Sequence, residues 1–172
     1  KGNFTPFGEV LNGRRGGSSS AFADIDGDGD LDAYVANYRT MTIRDQPNTR
    51  FSLRTVDGRQ QVVSVDGVPI SEPDLANRFN FRIAQQSGRG SFAYDENGEP
   101  DVLLRNDGAG RWTPVAFTAG NFLDENGRPL SSPSFDWGLS VAFRDINQDG
   151  APDIYVCNDF RSPDRAWITN GR

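Results

Sequence analysis

The chain has 172 residues, of which 35% are hydrophobic, and it contains 19 glycines and 10 prolines. This composition favours a domain of β-strands and tight turns over a helical one, and no apolar run is long enough to cross a bilayer. The net charge of −6 argues against a nucleic-acid partner, and the absence of histidine excludes Ser-His-Asp and Cys-His catalysis within these residues.

Residues 1–17 are predicted to be the end of a β unit that precedes the rest of the chain. Gly2 to Pro6 is similar to the closing part of a hairpin that occurs later, at residues 101–115. The first residues contain no hydrophobic run of the signal-peptide type, and the chain begins with Lys1. A matured or excerpted chain explains both features.

Alternating aspartates follow at residues 24–32, a segment called the first loop below. Its pattern D-x-D-x-D-G-x-x-D places side-chain oxygens at positions one, three, five and nine, and a main-chain carbonyl at position seven. Calcium takes six to eight oxygen ligands at about 2.3–2.6 Å, and acids this close together repel each other unless a counter-ion is present. The predicted calcium ligands are Asp24, Asp26, Asp28, Asp30 through its carbonyl, and Asp32.

An EF-hand is the main alternative for such a loop. Its twelfth position requires a bidentate glutamate, whereas Val35 stands there. Its flanks are helices, whereas residues 21–23 and 33–36 have the short apolar patterns of β-strands. We therefore expect a calcium loop between strands.

Residues 39–100 are predicted to be a β-rich insertion. Asp57-Gly58 and Asp66-Gly67 separate short alternating runs, as the turns of a meander do, and residues 72–80 are compatible with one short helix. Long ordered loops on rigid scaffolds commonly carry recognition, so we expect this segment to contact a protein or glycan partner. Candidate contacts are Arg44, Arg50 and Phe51.

A second loop of the same kind lies at residues 145–153. Residues 141–159 align with residues 20–38 without a gap at an offset of 121. The predicted ligands of this second calcium ion are Asp145, Asn147, Asp149, the carbonyl of Ala151, and Asp153. Because the first loop has more carboxylates, we expect its local folding to depend more on the metal. The matched aromatic pairs Phe22/Phe143 and Tyr34/Tyr155 are expected in the core.

The repeat predicts an all-β fold, a β-propeller fragment of about two to three four-stranded blades with a β-rich insertion. Residues 1–17 end one blade, residues 18–115 form the next with the insertion 39–100, and residues 116–172 form a further, incomplete blade. Without the insertion the unit has roughly 60 residues, a size suited to a propeller blade. An open set of blades leaves unpaired edges, so we expect the rest of a longer chain or further copies to complete the ring.

The aspartate loop inside a strand pair, followed by an apolar strand and the hairpin Arg105-Asn106-Asp107-Gly108, resembles FG-GAP/VCBS-type repeats. These repeats occur in integrin α-subunit propellers and in many secreted bacterial proteins, and residues 136–143 are most similar to bacterial relatives of cartilage acidic protein. The resemblance covers residues 18–38 and 101–172. It implies a propeller, usually of seven blades, with calcium loops at the blade edges.

The expected function is a calcium-binding, non-catalytic scaffold for binding, adhesion or assembly, placed outside the cell, at the cell surface or in the periplasm. A part of a secreted propeller enzyme or lectin that acts on polysaccharide is the alternative. The acids outside the loops show no spacing that marks a catalytic pair. A purely structural blade set, in which calcium serves stability alone, is a third hypothesis.

Overall fold

The computed structural model describes residues 2–5, 11–86, 89–159 and 162–169, with the backbone alone at 83–86 and 89–92. Over these residues the chain is all-β, as the sequence predicts, and its strands form four antiparallel sheets. The strands are β1 Gly17–Ala23, β2 Asp32–Asn37, β3 Phe51–Val56, β4 Arg59–Val65, β5 Val68–Pro69, β6 Phe79–Gln86, β7 Arg89–Glu96, β8 Val102–Asn106, β9 Trp112–Val115, β10 Gly138–Arg144, β11 Asp153–Asn158 and β12 Arg165–Trp167. Short helical turns occur at Ile43–Asp45 and α1 Pro73–Ala76, and Phe117–Asn121 forms an irregular turn in which Gly120 has a φ of 86°.

The first sheet has four strands in the order β1-β2-β8-β9. Strands β2 and β8 are neighbours in the sheet although the insertion separates them in sequence. Strand β2 is buried along almost its whole length, because both of its faces are covered, and a strand of that kind has a continuous apolar run instead of a strict alternation.

The second sheet, β10-β11-β12, repeats the geometry of the first. Gly138 pairs with Asn158 as Gly17 pairs with Asn37, and each pairing is followed by a β-bulge at the next residue. The sequence offset of 121 therefore holds for the strand register as well.

The two sheets pack face to face around an apolar core. The first sheet contributes Tyr34, Ala36 and Leu103, and the second contributes Ile154 and Val156. Between them lie two phenylalanines from the connecting segment, Phe117 and Phe122, whose rings stack at 4.1 Å. Face-to-face packing of twisted four-stranded units is the arrangement of a propeller, so the fold is that of a propeller fragment.

Strands β1 and β2 of the first sheet approach β10 of the second sheet closely at Gly138. A Cβ atom on Gly138 would lie 3.0 Å from both the N and O atoms of Asn37, a separation tighter than ordinary contact. The hydroxyl of Ser18 donates to the carbonyl of Gly138 at 2.7 Å. Glycine at position 138 is thus required by the close approach of backbone to backbone.

The expectation that all four repeated aromatic residues lie in the core is wrong for two of them. Tyr34 is 1% exposed, but Phe22 is 55% exposed and its side chain lies outside the core. Tyr155, the counterpart of Tyr34, is 39% exposed. The cause is the order of the sheets. The second sheet covers the face of the first sheet that carries Tyr34, whereas no described element covers the face of the second sheet that carries Tyr155 in the same way.

The insertion forms two small sheets, β3-β4-β5 and β6-β7. Its predicted turns at Asp57-Gly58 and Asp66-Gly67 both have positive φ at each residue, as two-residue hairpins of type I′ require. Phe51 packs with Phe79, Phe81 and Tyr94, at 4.9 Å from the ring of Tyr94. Phe51 is therefore part of the insertion's own packing.

Arg39 attaches the end of the insertion to its beginning. Its guanidinium donates to the carbonyls of Asn97 and Gly98 at 2.8 and 3.1 Å. Glu99 accepts a 2.7 Å bond from the backbone N of Gly16. These contacts bring the two ends of a long excursion together at the edge of the first sheet. Among the described residues, no helix has both the length and the apolarity that a membrane crossing needs.

Candidate metal centre

The first loop connects the antiparallel strands β1 and β2 at one end of the first sheet. Two of its residues, Gly27 and Gly29, have φ values of 79° and 95°, in the left-handed region that side chains other than glycine rarely adopt. These glycines curl the chain so tightly that alternate side chains face the inside of the turn.

Three of the predicted ligands come together in this turn. Asp24, Asp26 and Asp28 each offer a carboxylate oxygen, and these oxygens lie within 4.8 Å of one another. Asp24 also accepts backbone bonds from Gly27 at 2.6 Å and Gly29 at 3.1 Å. The chemistry of this donor set, three hard oxygen ligands in a small concave turn, fits a calcium ion.

Asp32 lies behind this group, fully buried at 0% exposure. Its Oδ2 accepts the backbone N–H of Ile25 at 3.0 Å, and its Oδ1 accepts that of Asn106 at 2.8 Å. The carboxylate therefore ties the start of the loop to the end of β8. Each carboxylate oxygen has two lone-pair sites, so one backbone bond per oxygen leaves acceptor capacity for a cation.

The side chain of Asp30 faces the β8–β9 hairpin and not the other three carboxylates. A Cβ atom on Gly108 would collide with the Asp30 carboxylate. The ligand predicted for Asp30 is its main-chain carbonyl oxygen. The backbone N–H of Asp30 donates to Asp28 Oδ1 at 2.9 Å. Gly108 thus allows the hairpin to approach the loop.

A positively charged side chain, that of Arg105, already lies at the first loop. Nε of Arg105, at the end of β8, is 3.0 Å from Asp26 Oδ2. In the sequence Arg105 is recognisable only as part of the hairpin motif, because an arginine in a hairpin has no local signature of a contact with a loop so distant in the chain. The ion pair is partly exposed, so its net contribution to stability is small, about 0–1 kcal/mol.

The second loop, between β10 and β11, has several internal bonds that correspond to those of the first loop. Gly150 N donates to Asp145 Oδ2 at 3.0 Å, as Gly29 does to Asp24. The amide of Asn147 donates to Asp149 Oδ2 at 2.9 Å, so this neutral residue partly compensates the charge beside it. Ala151 is 2% exposed, and its backbone N bonds to Asp149 Oδ1 at 2.9 Å.

Asp153 repeats the role of Asp32. It is buried, and it accepts backbone bonds from Ile146 at 2.7 Å and from Thr169 at 2.7 Å. Burial by itself raises the pKa of Asp153, but the backbone N–H groups of Thr169, Ile146 and Asn147 together outweigh burial and hold the pKa below its usual value. Asp153 is thus kept ionised by the fold of its own repeat.

A second repeat signal, at an offset of 63, links the third strands of the two sheets. Pro100-Asp101 precedes β8 and Pro163-Asp164 precedes β12. With this alignment Asn106 corresponds to Thr169, and both donate to the buried aspartate of their loop. Arg105 then corresponds to Ile168, so the arginine at the first loop has no counterpart at the second.

Comparison with known families finds a repeat model that matches part of the chain. The sequence profile of the FG-GAP-like repeat matches residues 94–156, a range that contains β8 to β10, the second loop and the first four residues of β11. The first loop precedes the matched range. A comparison with curated proteins gave no match. The chain therefore carries an FG-GAP-like repeat at residues 94–156, as its sequence resemblance predicts.

Proposed function

We propose that this chain is a calcium-binding module of an extracellular β-propeller and acts as a non-catalytic scaffold for a binding partner. The observation that carries the proposal is the convergence of Asp24, Asp26 and Asp28, whose oxygens lie within 4.8 Å of one another. Three carboxylates in one turn cost electrostatic free energy unless a cation neutralises them. Calcium supplies that charge and accepts irregular oxygen geometry.

Each of the two loops would hold one calcium ion. The first would use Asp24, Asp26, Asp28, the carbonyl of Asp30, and Asp32. The second would use the corresponding residues, Asp145, Asn147, Asp149, the carbonyl of Ala151, and Asp153. Waters complete six to eight ligands in sites of this kind.

Calcium in these loops would fix the ends of the strands that the loops connect. Asp32 and Asp153 already join the loops to β8 and to Thr169 through backbone bonds, so an ordered loop also orders the third strand of its sheet. Extracellular calcium modules bind at about 10⁻⁴–10⁻³ M, which matches the calcium concentration outside cells. This match supports an extracellular, cell-surface or periplasmic location.

Calorimetric titration with calcium tests the proposal. We expect two sites on the chain, of which Asp28→Asn removes the first and Asp149→Asn the second, because each variant deletes one ligand charge at position five. Asp57→Asn is the matched control, since it lies in a turn of the insertion and has the same charge change. Absence of heat with calcium in the parent chain, or equal affinity in the position-five variants and the control, would refute the proposal.

A further inference from the structure

A cleft of about 1020 Å³ lies where the insertion meets the start of the second sheet. One wall consists of residues 42–44 and 94–97, and the other of residues 135–137 and 162–163. The volume is at the upper end of the range typical of ligand clefts, about 300–1,000 Å³. None of the metal-loop residues lines this cleft, so it is a separate site.

Aromatic rings line the cleft, and the protein holds them in place. Trp137 is buried at 8% exposure, and its Nε1 donates to the carbonyl of Glu96 at 3.1 Å. Tyr38 packs edge-on against it with ring centroids 4.6 Å apart. Tyr94 and Phe135 are half-buried, so each keeps part of its surface accessible. Rings fixed in advance lose little conformational entropy when a ligand packs on them.

The carboxylates that line the cleft are neutralised by the protein itself. Each has an arginine partner: Asp95 with Arg82 at 2.7 Å, Glu96 with Arg78 at 2.8 Å, and Asp136 with Arg165 at 2.9 Å. Asp159, just outside the lining, accepts the hydroxyl of Tyr38 at 3.3 Å. The lining acids therefore add little net negative charge to the cleft.

Among the described residues that line the cleft, Arg44 is the charged side chain that has no partner of opposite charge. It is exposed, and it has neither a hydrogen bond nor an ion pair with any residue in the described ranges. The neighbouring Asp45 carboxylate is engaged by the backbone N and hydroxyl of Thr42, at 2.8 and 2.9 Å. A guanidinium is the protein group best suited to bind a carboxylate, because it donates two parallel hydrogen bonds.

We propose that this cleft binds an acidic oligosaccharide, a chain of uronic acid units, with Arg44 on a sugar carboxylate. The inference rests on the proposed function, since it names the ligand class of the scaffold. A sugar ring has an apolar C–H face, which fits the aromatic surfaces, and hydroxyl groups around its edge. Exposed Asn80, whose amide donates to Asn97 Oδ1 at 2.9 Å, keeps its own carbonyl oxygen as an acceptor for those hydroxyls.

Calorimetry on the full chain in millimolar calcium tests this inference. The probes are trisaccharides of galacturonate, glucuronate and mannuronate, each compared with its methyl ester. We expect at least one acid to bind, and its ester to bind at least roughly tenfold more weakly, because the ester loses the charge-assisted hydrogen bonds to the guanidinium. The substitution Arg44→Gln should weaken binding of the acid by a similar factor and leave binding of its ester unchanged.

Arg54→Gln is the matched control, because Arg54 is exposed on β3, carries the same charge and does not line the cleft. Equal losses in the two variants would mean that net charge alone acts, and would overturn the proposal. So would equal binding of acid and ester, or binding of a glutamate-rich peptide but of no saccharide. The chain could also bind calcium normally but bind every trisaccharide with a dissociation constant above about 1 mM. That result would refute the ligand class but not the proposed calcium binding.

Discussion

The hydroxyl of Tyr34 donates a 2.8 Å hydrogen bond to Oδ2 of Asp101, and the second sheet repeats this bond between Tyr155 and Asp164 at 2.9 Å. In both sheets the other oxygen of the aspartate accepts the backbone N–H of an asparagine at the end of the second strand. The two copies differ in their surroundings: Tyr34 is buried between the sheets, whereas Tyr155 is exposed. The same local bond thus lies in two dielectric environments.

The environments shift the pKa values of the two aspartates in opposite directions. Burial raises the pKa of Asp101 to about 6, against the lowering effect of the bonds from Asn37 and Tyr34, and the charge of Asp136 raises it further. The pKa of Asp164 is lowered by the bonds from Asn158 and Tyr155. Burial also raises the pKa of Tyr34, so this hydroxyl stays a hydrogen-bond donor.

We predict that Asp101→Asn removes a pH dependence of stability. Folded Asp101 keeps its proton up to about pH 6, while the unfolded chain releases it near about pH 4. The contribution of Asp101 to stability is therefore present at low pH and falls as pH rises from about 4 to about 6, by roughly 2–3 kcal/mol. Urea unfolding between pH 4 and 7.5 measures this contribution as the difference in the free energy of unfolding between parent and variant at each pH.

Asp164→Asn is the control for this experiment, with the opposite sign. Its depressed pKa gives a stabilising contribution that is present above the unfolded pKa and is lost as pH falls through the folded pKa. Between pH 4 and 7.5 the Asp164→Asn difference should therefore change little, because its pH dependence lies below about pH 4. A difference profile for Asp101→Asn that is flat, or that has the same slope as that of Asp164→Asn, would contradict the assignment.

Calcium should stabilise the fold by an amount that depends on its concentration. For dissociation constants of about 10⁻⁴–10⁻³ M, 10 mM calcium adds about 1.4–2.7 kcal/mol for each site by mass action. We expect Asp28→Asn to remove more of this gain than Asp149→Asn, because the first loop has more repulsion to relieve. Thermal melting with calcium and with chelator measures the gain, and equal melting temperatures in the two conditions would contradict it.

Arg105 should weaken calcium binding at the first loop. Its ion pair with Asp26 must loosen when a cation arrives, and its charge repels that cation. We predict that Arg105→Gln raises the calcium affinity of the first site by roughly three- to tenfold, in keeping with about 1 kcal/mol for an exposed pair. Affinity at the second site, where Ile168 takes the corresponding position, should not change.

Arg111→Gln provides the comparison for Arg105, because Arg111 lies in the same hairpin and pairs with Asp107. Both variants change the net charge by one. If calorimetric titration gives the same change of calcium affinity for both, long-range electrostatics explains it and the contact with Asp26 has no special role.

Packing between the two sheets should be sensitive to Leu103. It is 4% exposed and lies in the core between the sheets, so Leu103→Ala should lower the free energy of unfolding by about 2–5 kcal/mol. Leu139→Ala is the matched substitution at a side chain that is 46% exposed, and its expected cost is within about 0.5 kcal/mol. Chemical denaturation of both variants checks the contrast, and similar losses would show that the sheets do not pack through this face.

The loops, the turns and the repeat could be predicted from the sequence because they depend on local chemistry. Alternating aspartates around Gly29 bring Asp24, Asp26 and Asp28 together because all contacts form within a few residues of chain. The turns at Asp57-Gly58 and Asp66-Gly67 follow from the tolerance of these residues for positive φ. For the same reason, the equal spacing of the two loops was sufficient to predict equivalent strand pairs.

Only the tertiary structure decided how equivalent residues differ. Tyr34 and Tyr155 occupy equivalent positions in the sequence repeat, but burial depends on whether another sheet covers the face. Asp32 finds Asn106, and Asp26 finds Arg105, because β8 returns beside β2 after the long insertion. The cleft at Arg44 likewise exists only because the insertion meets the second sheet. Local patterns fix turns and alternation, whereas contacts between distant segments depend on the path of the whole chain.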